Sequence, residues 1–151
     1  MIDAPTPMDR ALDEARAAAA RGEVPVGAVI VERATGLVIA AAGNRTRELS
    51  DPTAHAEVLV IRAAAAARAS ERLGGCDLYV TLEPCAMCAG AISFARLGRV
   101  YYGAADPKGG AVDHGVRFFA AATCHHAPDV YGGIGERAAA TLLSDFFAAR
   151  R

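Results

Sequence analysis

The chain has 151 residues, a formal net charge of −1 and 53% hydrophobic residues, much of that alanine. This is the composition of one soluble globular domain, 1–151, with a single core. It excludes a global basic field, so an RNA partner would have to be met by a local patch. The stretch Met1-Ile2-Asp3-Ala4-Pro5 has neither a basic nor an apolar targeting region, and the alanine run 63–67 is short and flanked by Arg62 and Arg68, so no membrane span is expected. A cytoplasmic protein is the resulting expectation, and in that reducing compartment its four cysteines are expected as free thiols or metal ligands.

In chain order, Asp9–Arg21 reads as a helix stopped by Gly22. Val24–Arg33, dense in β-branched residues, and Leu37–Ala42 read as a hairpin across Ala34-Thr35-Gly36. A polar stretch with the turn Asp51-Pro52 leads into a helix over His55–Arg72, stopped by Gly74-Gly75. Cys76–Leu82 is a compact buried strand, Cys85–Leu97 a second central helix, and Arg99–Gly103 a fourth strand. A short strand is expected at Asp129–Tyr131, and a last helix over Ile134–Arg150 with Ala139, Leu142, Leu143 and Phe146 at helical spacing. Strands alternating with helices after an opening hairpin imply an α/β layered sheet covered on both faces.

Two short segments carry the chemistry: Pro52-Thr53-Ala54-His55-Ala56-Glu57 and Glu83-Pro84-Cys85-Ala86-Met87-Cys88. Each opens a helix. Cys85 and Cys88 stand at i and i+3, on one helix face, and can share an ion. Two thiolates plus the His55 imidazole suit zinc, and three protein ligands leave a position for water, the mark of a catalytic site. The helix entrance favours thiolate over thiol, and Pro84 is expected at the first helical position, where no N–H partner is needed. Glu57, in the first turn beside His55, then acts as proton shuttle rather than ligand.

Two other readings of the cysteines stay open. A Cys-x-x-Cys pair alone also serves as a redox motif, but that does not call for His-x-Glu upstream. A closed structural site would need a further donor, which Cys124, His125 or His126 could supply.

His-x-Glu followed by Pro-Cys-x-x-Cys is the general signature of zinc base deaminases. Glu23-Val24-Pro25-Val26-Gly27-Ala28, Asp51–Glu57, Tyr79–Cys85, Met87-Cys88-Ala89-Gly90-Ala91 and Leu142–Phe147 together resemble the bacterial tRNA-specific adenosine deaminase (TadA) family. Only about Val112–Cys124 departs from that pattern. The resemblance implies a cytidine-deaminase-like three-layer α/β/α sandwich around a central five-stranded mixed sheet, one zinc ion per subunit, and a homodimer. It implies hydrolytic conversion of adenosine to inosine at the wobble position of an arginine tRNA anticodon stem-loop, with zinc-bound hydroxide as nucleophile and Glu57 as acid and base. It also implies substrate contacts at Asn44, Ala54 (through its backbone), Asp106, Phe147 and Arg150, with Phe146 on the same C-terminal helix.

The rival of the same fold is a free nucleobase or nucleoside deaminase of guanine or cytosine type, which shares Asp-Pro-Thr-x-His-Ala-Glu. In Val112–Cys124, His114, Arg117, Phe118 and Phe119 could contact a nucleotide, or the two phenylalanines could pack a short helix. The rival of another class is a non-catalytic zinc module that binds RNA. Such a module gains nothing from an unligated Glu57 beside the ion.

Overall fold

The computed structural model describes residues 4–151; residues 1–3, part of the N-terminal stretch read for an address, lie outside the described residues. Its elements are α1 (Pro7–Ala20), β1 (Gly27–Glu32), β2 (Val38–Gly43), α2 (Ala56–Arg68), β3 (Cys76–Leu82), α3 (Ala86–Ala95), β4 (Arg99–Ala104), a 3₁₀ turn (Phe118–Ala120), β5 (Asp129–Tyr131) and α4 (Glu136–Ala148). The strands form one five-stranded sheet in the order β2-β1-β3-β4-β5, as the family resemblance implies. β1 runs antiparallel to both β2 and β3, whereas β3, β4 and β5 are parallel.

The alternation of side chains along β1 explains the layers. Ala28 and Ile30 join the core formed with Val60 of α2 and Ile92 of α3. Val29 and Val31 face the other way, into a core with Met8 and Leu12 of α1 and Ala139 of α4. β1 is therefore covered on both faces, which is why it reads as a continuous apolar run.

Local chemistry moves several boundaries. Helix α1 begins before Asp9 because Thr6 and Asp9 form a reciprocal capping box: Thr6 Oγ1 accepts from the Asp9 N–H at 3.1 Å and the Asp9 carboxylate accepts from the Thr6 N–H at 2.9 Å. The β-branched run from Val24 does not pair at once. Pro25 has no N–H to offer a ladder, and the Val26 N–H donates to the Val24 carbonyl at 2.8 Å in a tight turn instead. Helices α2 and α3 stop short of Arg72 and Leu97, each at a left-handed residue, Ala69 and Arg96.

The seat of α1 on the sheet is flush. A Cβ on Gly27 would lie 2.0 Å from the Ala11 carbonyl oxygen, and one on Gly43 would lie 2.7 Å from that of Glu14. Only glycine fits there, against a helix face of fully buried Ala11, Ala15 and Ala18.

Two buried carboxylates fix the loops beyond the strand ends. Glu23 accepts from the backbone N–H groups of Arg47 (3.1 Å) and Glu48 (2.8 Å). Glu83 accepts from those of Asp106 (3.0 Å), Val112 (3.2 Å), Asp113 (3.0 Å) and His114 (3.1 Å), and meets His114 Nδ1 at 2.7 Å. Burial alone would raise the Glu83 pKa. The N–H of Asp106, the His114 ring and the remaining amides outweigh it and hold the carboxyl below its ordinary value of 4.5.

Replacing Glu83 by alanine strands several amides and is expected to cost about 3 kcal/mol, which is a drop of roughly 6–12 °C in thermal midpoint for a chain of this size. A carboxyl depressed on folding stabilises above its unfolded pKa and loses that contribution as pH falls through the folded value. The stability gap between the unaltered protein and Glu83→Gln, followed by denaturant titration, should therefore be full near neutrality and shrink below the ordinary value of 4.5.

Candidate metal and active site

The site lies where two chain segments enter helices side by side. His55 is the N-cap of α2 and Cys85 the N-cap of α3, both with extended backbone, so each side chain projects off a helix entrance rather than along its flank. Pro84 stands one residue outside the helix, not at its first position. Its carbonyl accepts from the Ala111 N–H at 2.9 Å, which ties the strand end to the Gly109–Val112 turn. Cys88, one turn into α3, returns to the same point.

His55 Nδ1 lies 3.6 Å from Cys85 Sγ and 3.5 Å from Cys88 Sγ, and one ligand atom from each of the three residues lies within 4.8 Å of the others. A tetrahedral zinc ion with Zn–S of about 2.3 Å and Zn–N of about 2.0–2.1 Å spaces nitrogen from sulfur by about 3.5 Å. The donors thus fit one zinc ion in both chemistry and separation. Cys124 and His126 take no part in the cluster: Cys124 Sγ sits 3.6 Å from Ser93 Oγ, and His126 Nε2 lies 2.6 Å from the Leu97 carbonyl oxygen. With three protein donors the site keeps an open position, as in catalytic zinc centres.

The thiols are electrostatically unequal. Cys85 is pulled down to about 4, first by its hydrogen bond with Cys88 and then by His55, against the cost of burial. Cys88 is pushed up by the same bond and by burial. His55 is raised by its hydrogen bond with Cys85. Glu57, in the first turn of α2 and only 4% exposed, is raised to about 7, chiefly by burial and then by the neighbouring Cys85 charge, with His55 and Cys88 opposing. A carboxyl poised near neutrality can both take and return a proton.

These groups face a cavity of about 360 Å³ lined by His55, Glu57 and Cys85 on the metal side, by the apolar Val24, Val26 and Leu82, and by Asn44, Thr46, Glu83, Asp106 and Gly109. That is the size and lining of a small-molecule pocket. Asn44 is buried, and its Nδ2 donates to Thr46 Oγ1 at 3.4 Å. Asp106 Oδ1 accepts from the amides of Lys108 and Gly109.

The structure places Asn44 and Asp106 in the cavity lining and Ala54, Phe147 and Arg150 outside it. Ala54 is fully buried outside the lining, with its N–H given to Asp51 and its carbonyl taken by Arg45. Phe147 is exposed on α4, and the Arg150 guanidinium lies 3.5 Å from the centroid of the buried Phe146 ring. Neither lines the cavity. In the divergent stretch, Phe118 and Phe119 form the 3₁₀ turn, edge to face at 6.1 Å, and Phe119 packs on the core.

Sequence reasoning missed Glu23 and Glu83 as organisers of the cavity walls, and Thr46 and Val24 as lining. The available signal was an acidic residue set directly against Val24-Pro25-Val26 and between Leu82 and Pro84, where burial forces a carboxylate to find donors.

Comparison with known proteins agrees with this geometry. Residues 1–104 match the cytidine and deoxycytidylate deaminase zinc-binding region. The chain is 64% identical over 144 residues to the tRNA-specific adenosine deaminase of Agrobacterium fabrum, covering 95% of this chain and 93% of that one. A structure solved in a study of A-to-I editing by tRNA:A34 deaminases at the wobble position superposes with a TM-score of 0.88 at 65% identity, over 91% of this chain and 98% of the other. A guanine deaminase from Nitrosomonas europaea superposes with a TM-score of 0.78 at 27% identity, over 98% and 87%. The rival readings of the cysteines thereby fall away, and the chain belongs to the zinc-binding cytidine and deoxycytidylate deaminase family, among its tRNA-specific adenosine deaminases.

Proposed function

We propose that this enzyme converts adenosine to inosine at the wobble position of an arginine tRNA anticodon stem-loop, with His55, Cys85 and Cys88 holding zinc and Glu57 moving the protons. The observation that carries the mechanism is a buried carboxyl, that of Glu57, lining a base-sized cavity beside a three-donor zinc cluster.

Zinc, when bound, supplies a water acidic enough to be deprotonated near neutral pH. Glu57 accepts that proton and delivers it to the purine ring nitrogen as oxygen adds to C6. The restored carboxylate then takes the proton of the hydroxyl added at C6 and gives it to the amino group, so that the C6–N bond breaks, ammonia leaves and the C6 carbonyl forms. Val24, Val26 and Leu82 clasp the faces of the flipped base and exclude bulk water, while Asn44 and Asp106 hold its sugar and flanking atoms. Phe147 and Arg150, outside the cavity, would meet the RNA beyond the target nucleotide.

The reading includes a cytoplasmic homodimer. Its support is a second groove of about 500 Å³ between α2 and α3, whose lining joins the apolar Val58, Ile61, Ala91, Ala95 and Phe94, the last at 81% exposure, to a charged border of Arg62, Glu71, Arg72 and Arg96. Phe94 and the apolar side chains beside it form a contiguous patch on the outer face of the two zinc-bearing helices, of the kind a second subunit covers. No described helix is long and apolar enough to cross a membrane.

Glu57→Gln should retain stoichiometric zinc by atomic absorption and lose about 10³-fold or more in inosine formation. The purified protein should deaminate the arginine stem-loop and leave guanine, cytosine, adenosine and cytidine largely untouched; turnover of guanine without the stem-loop would install the free-base reading instead. Complete removal of zinc by chelation should abolish activity, and zinc alone should restore it. Phe94→Asp should convert a dimer to a monomer in sedimentation analysis at micromolar concentration.

A further inference from the structure

The cavity has a rim that the zinc chemistry leaves unused. On the side formed by the α1–β1 turn and the loop after β2, a surface depression is lined by Arg21, Gly22, Glu23, Arg47 and Glu48. It adjoins the cavity wall, because Val24, Asn44 and Thr46 of the same two segments line the cavity itself. Three arginines lie here, but only two have charge to spare. Arg45 is paired with Glu48 at 2.5 Å. Glu23 is 1% exposed, and both its oxygens are taken by the Arg47 and Glu48 amides.

Arg21 and Arg47 are both exposed, and among the described residues neither has an acidic side-chain partner. Arg21 is nonetheless aimed. Its Nη2 donates to the carbonyl of Asn44 at 3.2 Å, across the end of β2, which puts the guanidinium against the residue at the cavity mouth. Arg47 is held by its backbone N–H on the buried Glu23 carboxylate, which anchors its place on the rim. One aimed guanidinium and one exposed arginine anchored through its backbone, beside the entrance of a base-sized cavity on a chain of net charge −1, form the local basic patch that a neutral RNA-binding protein needs.

We propose that Arg21 and Arg47 form a backbone subsite, binding phosphodiester groups of the RNA strand next to the nucleotide in the cavity. Arginine suits this because its planar fork pairs with two phosphate oxygens at once. The strand then enters along the α1–β1 side and turns its base past Asn44 and Thr46, while Asp106 and Lys108 border the opposite side. The subsite positions the loop and reads no base. It rests on the tRNA reading, which the test below separates from it.

The test uses the zinc-loaded protein and a fluorescent arginine tRNA anticodon stem-loop, with binding followed by anisotropy and deamination by inosine release across a salt series. Each phosphate contact to single-stranded nucleic acid contributes about 0.7 to the slope of log affinity against log salt. Arg21→Gln and Arg47→Gln should each flatten that slope by about this amount, and the double variant by about twice it. KM should rise severalfold at low salt, with kcat at saturating RNA within about twofold. Arg21→Lys and Arg47→Lys should keep most of the slope, which separates charge from a folding defect. Arg10→Gln, which removes an exposed arginine beside Gly36 and Val38, should leave it unchanged. Slopes unmoved by both glutamine substitutions, or moved no more than by Arg10→Gln, overturn the subsite. Failure of the unaltered protein to bind or deaminate the stem-loop overturns the tRNA reading itself, and the subsite with it.

Discussion

Everything distinctive about the cavity depends on a carboxylate surrounded by amides. Glu83 is fully buried at the end of β3, one residue before Pro84 and two before a zinc-site cysteine, and its oxygens collect the N–H groups of four residues from the segment after β4. A carboxylate cannot be buried without such donors, and irregular loop amides cannot be buried without an acceptor. Each half of the arrangement therefore solves the other's desolvation problem. The outcome is that the wall bearing Asp106 and Gly109 is set by the same short stretch of chain that sets Cys85. Glu23 does the same, on a smaller scale, for the wall bearing Asn44 and Thr46.

Sheet topology explains why the site lies here. The first helix of the pair enters after β2, and the second after β3, at the point where the sheet changes from antiparallel to parallel pairing. Both helix entrances present unpaired N–H groups and positive dipole ends toward one place, which suits thiolate and carboxylate groups converging there. Burial then lifts Glu57 while hydrogen bonding lowers Cys85. Two acidic groups a few residues from one another in space are thereby given opposite tendencies, one to hold a proton and one to lose it.

Much of this was legible in the residues. Cys76–Leu82 and Asp129–Tyr131 are read with their observed limits, because turn residues bound them closely. The ligand set was legible because Cys-x-x-Cys and His-x-Glu impose a spacing that few other purposes require. Boundaries failed where side chains act on backbone: the Thr6–Asp9 box, the Pro25 turn, the left-handed ends at Ala69 and Arg96. The roles of Glu23 and Glu83 were hidden because nearly all of their partners are backbone amides, which have no letter in the sequence, with the His114 ring the one side chain among them. Ala54, Phe147 and Arg150 came from resemblance alone, since no spacing or composition marks them, and they lie outside the cavity lining.

The flush contact between α1 and the hairpin has a consequence for how this enzyme can change. Where Gly27 and Gly43 meet the backbone of α1 directly, no side chain acts as a cushion between the layers. One wall of the cavity is thus mounted on a rigid joint, and its distance from the metal donors is not an adjustable quantity. Changes in the shape of the cavity then come from exchanging side chains that line it, such as Val24, Asn44 and Thr46, or from remodelling the loops that the two carboxylates hold. Drift in recognition and integrity of the fold are in this way partly uncoupled, with the joint as the frame and the rim as the variable part.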